Sequence, residues 1–403
     1  MGTTTEGGIG ERVAEERKLA GWTQSRLAIE ANVSVSLVRK VEQGRSPASP
    51  AFVSACAKAL KVSPSELLGQ PFPRTTRDES EVASGIALIR SELAAYDIPP
   101  AGLTPRPIEA VAEAVSRMRT LRRASSLRQM SMDLPALMIE VRALVHQEQG
   151  GNQQRAYRLL CELYLCARGL AHKLGYVDLM TVTIERLAWA AAGTGSRLWA
   201  TSAQYFRALV LTSTGDWNTA LAYLERCRAE LESELGSDDT EHLVSWGGLH
   251  LQSGLAAARA GDRGAADAHL SEARETAARL GDTEYCEPVF YFGPTNVDIW
   301  SVGLAVEMLE GTEAIERAQH LTIPASTPRS RAGHLYIDLG RAFLLHGDRA
   351  KTLDSLNKAR QIAPIQTRYH PMVHETVRVL ARTEARSTET LRGFAAWCGV
   401  NQL

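Results

Sequence analysis

The stretch TQSRLAIEANVSVSLVRKVEQGRSPAS, Thr23 to Ser49, concentrates side chains whose chemistry is hydrogen bonding and charge. Gln24, Ser34, Ser36, Arg39, Lys40 and Arg45 supply donors and cations there, and Val35 adds an apolar contact among them. Arg carries a planar fork of donors that fits a paired acceptor edge, whereas Lys acts as a point charge. A second group joins aromatic faces to an amide: Tyr291, Phe292 and Asn296 in and beside FGPTNV, with Tyr369 on a later loop. Such a set suits a peptide or small molecule held inside a concave surface. Covalent chemistry has no comparable candidate. The histidines show no H-E-x-x-H spacing, the six cysteines form no C-x-x-C pair, and no phosphate-cradling G-x-x-x-x-G-K-[ST] loop occurs. The sequence predicts no catalytic residue, no metal and no cofactor.

The first group sits on two short helices. Thr23 and Ser34 are suited to N-caps, and Asn32 tolerates the left-handed turn between the helices. Leu27, Ala28, Val38 and Val41 face inward, and Gly44 ends the second helix. A helix from about Gly10 to Leu19 precedes the pair, and helices near Pro50–Leu60 and Ser63–Leu68 follow it. Five short helices with this pair second and third resemble the lambda-repressor-like (XRE-type) helix-turn-helix family. Asn32 departs slightly from that pattern, in which Gly is commoner.

The resemblance implies a docking geometry in which the second helix of the pair enters the major groove of DNA. On that geometry Gln24 holds a phosphate, and Val35, Ser36 and Arg39 lie outward. Arg39 makes a bidentate contact to guanine, Val35 touches a thymine methyl, and Lys40 and Arg45 bind phosphate. Charge agrees: residues 1–75 hold ten Lys or Arg against seven Glu, while the 403-residue chain has a net charge of −1. Any nucleic-acid contact must therefore be local.

At 403 residues the chain is longer than one core usually covers, so two or three domains are expected. Apolar residues make up 44% and charged residues 23%, which excludes a disordered chain. No run of about 18 apolar residues occurs, and MGTTTEGGIGERV lacks the order of a secretory signal. A cytoplasmic chain with no membrane partner is expected. Good helix formers recur at spacings of three and four, and period-two alternation is scarce, so the fold class is all-α. The expected domains are a helix-turn-helix head at 7–70, a tether with one helix at 71–107, and a helical body at 108–403. Within the body, Gly215-Asp216, Gly261-Asp262, Gly281-Asp282 and Gly347-Asp348 mark helix-turn-helix hairpins. Around them Gly254, Ala266, Ala273, Gly340, Leu356 and Ala359 follow tetratricopeptide spacing, though Thr352 replaces the usual Ala. A right-handed helical superhelix is expected.

The whole chain resembles a set of actinobacterial regulators that join such a head to a tetratricopeptide-like body. That resemblance rests on IALIRSELAAYDIPP, FGPTNV and IAPIQTRYHPMVHETV. It implies a sequence-specific transcription regulator that is a homodimer on an inverted-repeat operator in double-stranded DNA. The body would sense a small-molecule or peptide effector through Tyr291, Phe292, Asn296 and Tyr369. The alternative is an adaptor whose body docks a partner protein while the head localises it to DNA. In the FGPTNV loop Thr295 is expected to cap a helix from Asn296, and a purely structural role would explain Gly, Pro and Thr. The arginines at 117, 119, 122, 123 and 128 read as a solvated helix face, or as contacts to flanking phosphates.

Overall fold

A computed structural model describes residues 7–72, 77–232, 239–281, 290–383 and 389–400. Among these the chain is all-α, with no strand. The head comprises α1 (Ile9–Leu19), α2 (Gln24–Glu30), α3 (Val35–Glu42), α4 (Pro50–Leu60) and α5 (Pro64–Leu68). Ile9, Val13, Leu27, Val38, Val41, Phe52 and Leu67 form its core. Gly10 lies against α3 so closely that a Cβ there would stand 2.0 Å from the Val41 carbonyl oxygen.

The connector behaves differently from a free tether. Its helix α6 (Arg77–Ala94) buries Ile86, Ile89 and Leu93 in the core of the body. Arg142 clamps it there by pairing with Glu92 at 2.9 Å, and both side chains are nearly inaccessible. The period of the apolar positions in IALIRSEL supplies the buried face, so this helix is body rather than linker.

The body continues as α7 (Ile108–Arg123), α8 (Leu127–Gln147), α9 (Gly150–Leu174), α10 (Val177–Thr194), α11 (Arg197–Ser213), α12 (Trp217–Glu232), α13 (Thr240–Ala260) and α14 (Arg263–Arg279). It ends with α15 (Pro294–Glu307), α16 (Gly311–Ala318), α17 (Arg329–His346), α18 (Arg349–Ile362), α19 (Pro364–Arg368), α20 (Pro371–Thr383) and α21 (Glu389–Cys398). Consecutive helices pack in pairs, and α11, α13, α15 and α17 also lie side by side as one row. At two of the Gly-Asp turns, Gly261 (φ 81°) and Gly347 (φ 95°) take the left-handed conformation that ends a helix. The following Asp262 and Asp348 cap the next helix by accepting from Ala265 N–H at 2.9 Å and Lys351 N–H at 3.0 Å. Ala220, Ala266, Ala273 and Ala359 are wholly buried where helices cross. Thr352 fits the same crowded position by returning its hydroxyl to the Asp348 carbonyl at 2.8 Å. Asp282 lies outside the described residues.

Head and body are in contact. The backbone N–H of Ala48 donates to Glu375 Oε1 at 3.0 Å, and Ser54 Oγ donates to the Ser213 carbonyl at 2.9 Å. Arg382 pairs with Glu11 at 2.5 Å, and Phe72 stacks on His374 with ring centroids 4.2 Å apart. Gly215 comes so near that a Cβ would meet the Ser54 carbonyl oxygen at 2.8 Å. Burial pushes the Glu375 carboxyl up, opposed by the Ala48 N–H and by Arg378 and Arg12.

Candidate functional site

Local sequence builds the outward-facing surface of the head. Thr23 starts α2 by accepting from Arg26 N–H, and Ser34 starts α3 by accepting from Leu37 N–H, each at 3.1 Å. Such caps contribute about 1 kcal/mol each. Asn32, at φ 51°, makes the left-handed turn between them. With Val38 and Val41 buried, Ser36, Arg39 and Lys40 are left exposed on the other side of α3. Arg39, Lys40 and Arg45 enter no ion pair among the described residues. None of the hydrogen bonds, ion pairs and ring contacts between head and body named above uses them.

Two residues of this surface stand differently from expectation. Val35 is partly buried and packs on the head core with Val33 and Leu37. Gln24, expected at a phosphate, donates from Nε2 to Glu42 Oε2 at 2.8 Å. Glu42 also accepts from Arg17 through Nε at 2.7 Å and Nη2 at 2.8 Å, while Arg17 Nη1 donates to the Trp22 carbonyl at 2.7 Å. This buried network ties α1, α2 and α3 at one point. Burial opposes ionisation of Glu42, but the hydrogen bonds from Arg17 and Gln24 outweigh it and hold the carboxyl below its ordinary range. Sequence reading missed Arg17 and Glu42 because they are distant in the chain, with no local pattern linking them.

In the body, Tyr291, Phe292 and Asn296 line a cleft with about 880 Å³ of empty space, part of it open to solvent. The helix here begins at Pro294, not Asn296, and its N-cap is Gly293, so Thr295 is not the cap. Proline suits the first helical position because its missing N–H would have no partner there. Asn296 is buried: its Nδ2 donates to the Tyr291 carbonyl and its Oδ1 accepts from Arg331 Nε at 2.9 Å. Phe292 is fully buried against Gly247, whose Cβ would overlap its ring at 2.0 Å. Tyr291 donates its hydroxyl to Thr327 Oγ1 at 3.3 Å. Tyr369 is not brought to the cleft; it packs partly buried against the body core.

The cleft also gathers arginines. The run on α7 divides: Arg119 pairs with Glu162 at 3.5 Å and Arg128, just past α7, with Glu81 at 2.5 Å, whereas Arg122 and Arg123 line the cleft. Arg168 from α9 and Arg331 from α17 join them, and neither was evident in the sequence. Arg168 lies over the Phe206 ring at 4.1 Å and Arg331 over Trp300 at 5.5 Å. Burial first and the nearby Arg122 second bring Arg168 down to about 10, which leaves it charged at neutral pH.

Residues 9–68 match the helix-turn-helix domain family, the span of α1 to α5. Among solved structures, the chain is similar to that of Bacillus thuringiensis PlcR in complex with the peptide PapR7 and DNA. The identity is 16% and the TM-score 0.26, over 68% of this chain and 95% of that one. No curated protein matches the chain.

Proposed function

We propose that the chain is a sequence-specific transcription regulator whose head reads DNA and whose body pairs with a second copy and senses an effector. The observation that carries this reading is the outer face of α3: Ser36, Arg39 and Lys40 stay exposed while the head rests on the body. Arg39 is the base-reading residue, Lys40 and Arg45 hold phosphates, and Ser36 stands exposed one turn before Arg39. Ser34 serves chiefly as the cap of α3, and Val35 and Gln24 act through packing and through Glu42. A single head of this size covers little DNA, so two copies on half-sites about one helical turn apart account for stable binding.

The test is selection of bound duplexes from a random-sequence pool with the full chain, followed by footprinting and sedimentation. A consensus with two related half-sites and two chains per duplex is the expected result. Enrichment of no sequence, or one chain on one half-site, would reject sequence-specific reading or pairing respectively.

A further inference from the structure

The cleft of the body is a cation-rich chamber with aromatic walls. Among the described residues that line it there are four arginines and no carboxylate. Its walls come from the row of helices α11, α13, α15 and α17, with α7 and α9 beside them, so it is built by the repeat and not by one loop. Arg168 Nε is buried without a hydrogen-bond partner. Arg331 has a neutral partner, Asn296, which orients the guanidinium without cancelling its charge. A partly buried cation whose inner donor lacks a partner gains a charge-assisted hydrogen bond when an anion completes it. Tyr205, Phe290 and Trp300 line the same space.

We infer that this cleft binds a small organic anion, a carboxylate, phosphate or sulfonate carried on a flat apolar body, with the oxyanion at Arg168 and Arg331. Arg forks match the paired oxygens of such groups, and the aromatic walls take up the flat portion. The inference rests on the proposed effector-sensing role of the body only for its consequence on DNA. Binding itself is measured without DNA.

The experiment uses the full chain and the fluorescent probe anilinonaphthalene sulfonate, which carries both features. Saturable binding is expected, displaced by phenyl phosphate and by benzoate. Benzyl alcohol, which has the ring without the charge, should displace it about tenfold less well. Arg168→Gln and Arg331→Gln should each weaken probe binding about tenfold, the loss of a charge-assisted hydrogen bond. Arg117→Gln, on the exposed side of α7, should leave it unchanged. Circular dichroism checks the fold of each variant; if Arg331→Gln unfolds through Asn296, Arg168→Gln decides. Wild-type affinity in folded Arg168→Gln, or benzyl alcohol competing as well as benzoate, overturns the anion site. Arginine-dependent binding without any change in DNA affinity would keep the site and reject the sensing role.

Discussion

Head and body both expose arginines to a prospective ligand, but they assemble them in opposite ways. In the head, Arg39, Lys40 and Arg45 follow one another along a single helix and its exit, and stand in solvent. In the body, Arg122, Arg168 and Arg331 come from three separate helices and meet in a sheltered cleft. Exposed cations are screened by salt and suit a polyanion whose counterions are released on binding. Sheltered ones interact more strongly with a single small anion, because less water and salt intervene. On the two proposals above, the difference would separate a surface for long-range electrostatic capture from a chamber for a compact ligand.

The largest effect should come from the network under the head surface. Arg17→Ala leaves the Glu42 carboxylate without its cation and with only Gln24 still donating to it, a loss of about 3–5 kcal/mol for a buried pair broken on one side. A domain of about 60 residues has little stability to lose, so the head should unfold and DNA binding should vanish. The body, with its own cores, should keep its helical signal. A two-step melt monitored by circular dichroism, beside a DNA titration, reads both. Unchanged DNA affinity in Arg17→Ala would show that the network does not hold the reading surface.

Next come the exposed cations themselves. Arg39→Ala should cost about 1–3 kcal/mol on the selected site while leaving other duplexes nearly unaffected. Lys40→Ala should weaken all duplexes alike and lower the salt slope by about 1. Equal losses on every sequence for Arg39→Ala would reassign it to phosphate.

The contact between the two regions is a third place to break the comparison. Glu375→Ala removes the acceptor of the Ala48 N–H and should loosen the head by about 1–2 kcal/mol, the cost of a stranded buried donor. Hydrogen exchange at Ala48 should accelerate, with the core of the head still protected. An unaltered exchange rate would mean that the other contacts, among them Ser54–Ser213, Arg382–Glu11 and Phe72–His374, hold the head without it.

How much of this was legible in sequence follows the same divide. Thr23, Asn32, Ser34 and Gly44 act through neighbours in the chain, so caps, turn and exposed face of the head could be read directly. The hairpins turning at Gly215, Gly261 and Gly347 could be read from their Gly-Asp pairs for the same reason. The bond from Gln24 to Glu42 was not legible because Glu42 comes from another helix. Arg122 and Arg123 look in sequence like Arg119 and Arg128, and only packing sends two inward and two to carboxylates. Phe292 and Asn296 stand in a local motif, but the burial of Phe292 against Gly247 and the bond from Arg331 to Asn296 depend on distant helices and could not be read there. The connector helix was misread because Pro and Gly on both sides signal turns and say nothing about where the helix between them docks.

The smallest expected effect is also the most specific to the chamber. Lys173 donates to Ser125 Oγ at 3.1 Å, and its charge is faced by Arg122 from α7 and Arg168 from its own helix, with His172 adjacent. Burial first, and then those two arginines, bring its pKa from 10.5 down to about 7. In the free chain the unfolded state therefore holds the proton more tightly across that interval, and stability rises as pH climbs from about 7 toward 10.5. An anion in the cleft acts the other way, favouring the protonated amine. Affinity for the sulfonate probe, which stays ionised throughout, should fall as pH rises through about 7. The change should be on the order of 0.5–1 kcal/mol, a few-fold, because Lys173 stands beside the cleft rather than lining it. Lys173→Met should flatten that dependence while Arg168→Gln lowers affinity at every pH. A pH profile unchanged by Lys173→Met would place the titrating group elsewhere and leave the arginines as the sole electrostatic partners of the anion.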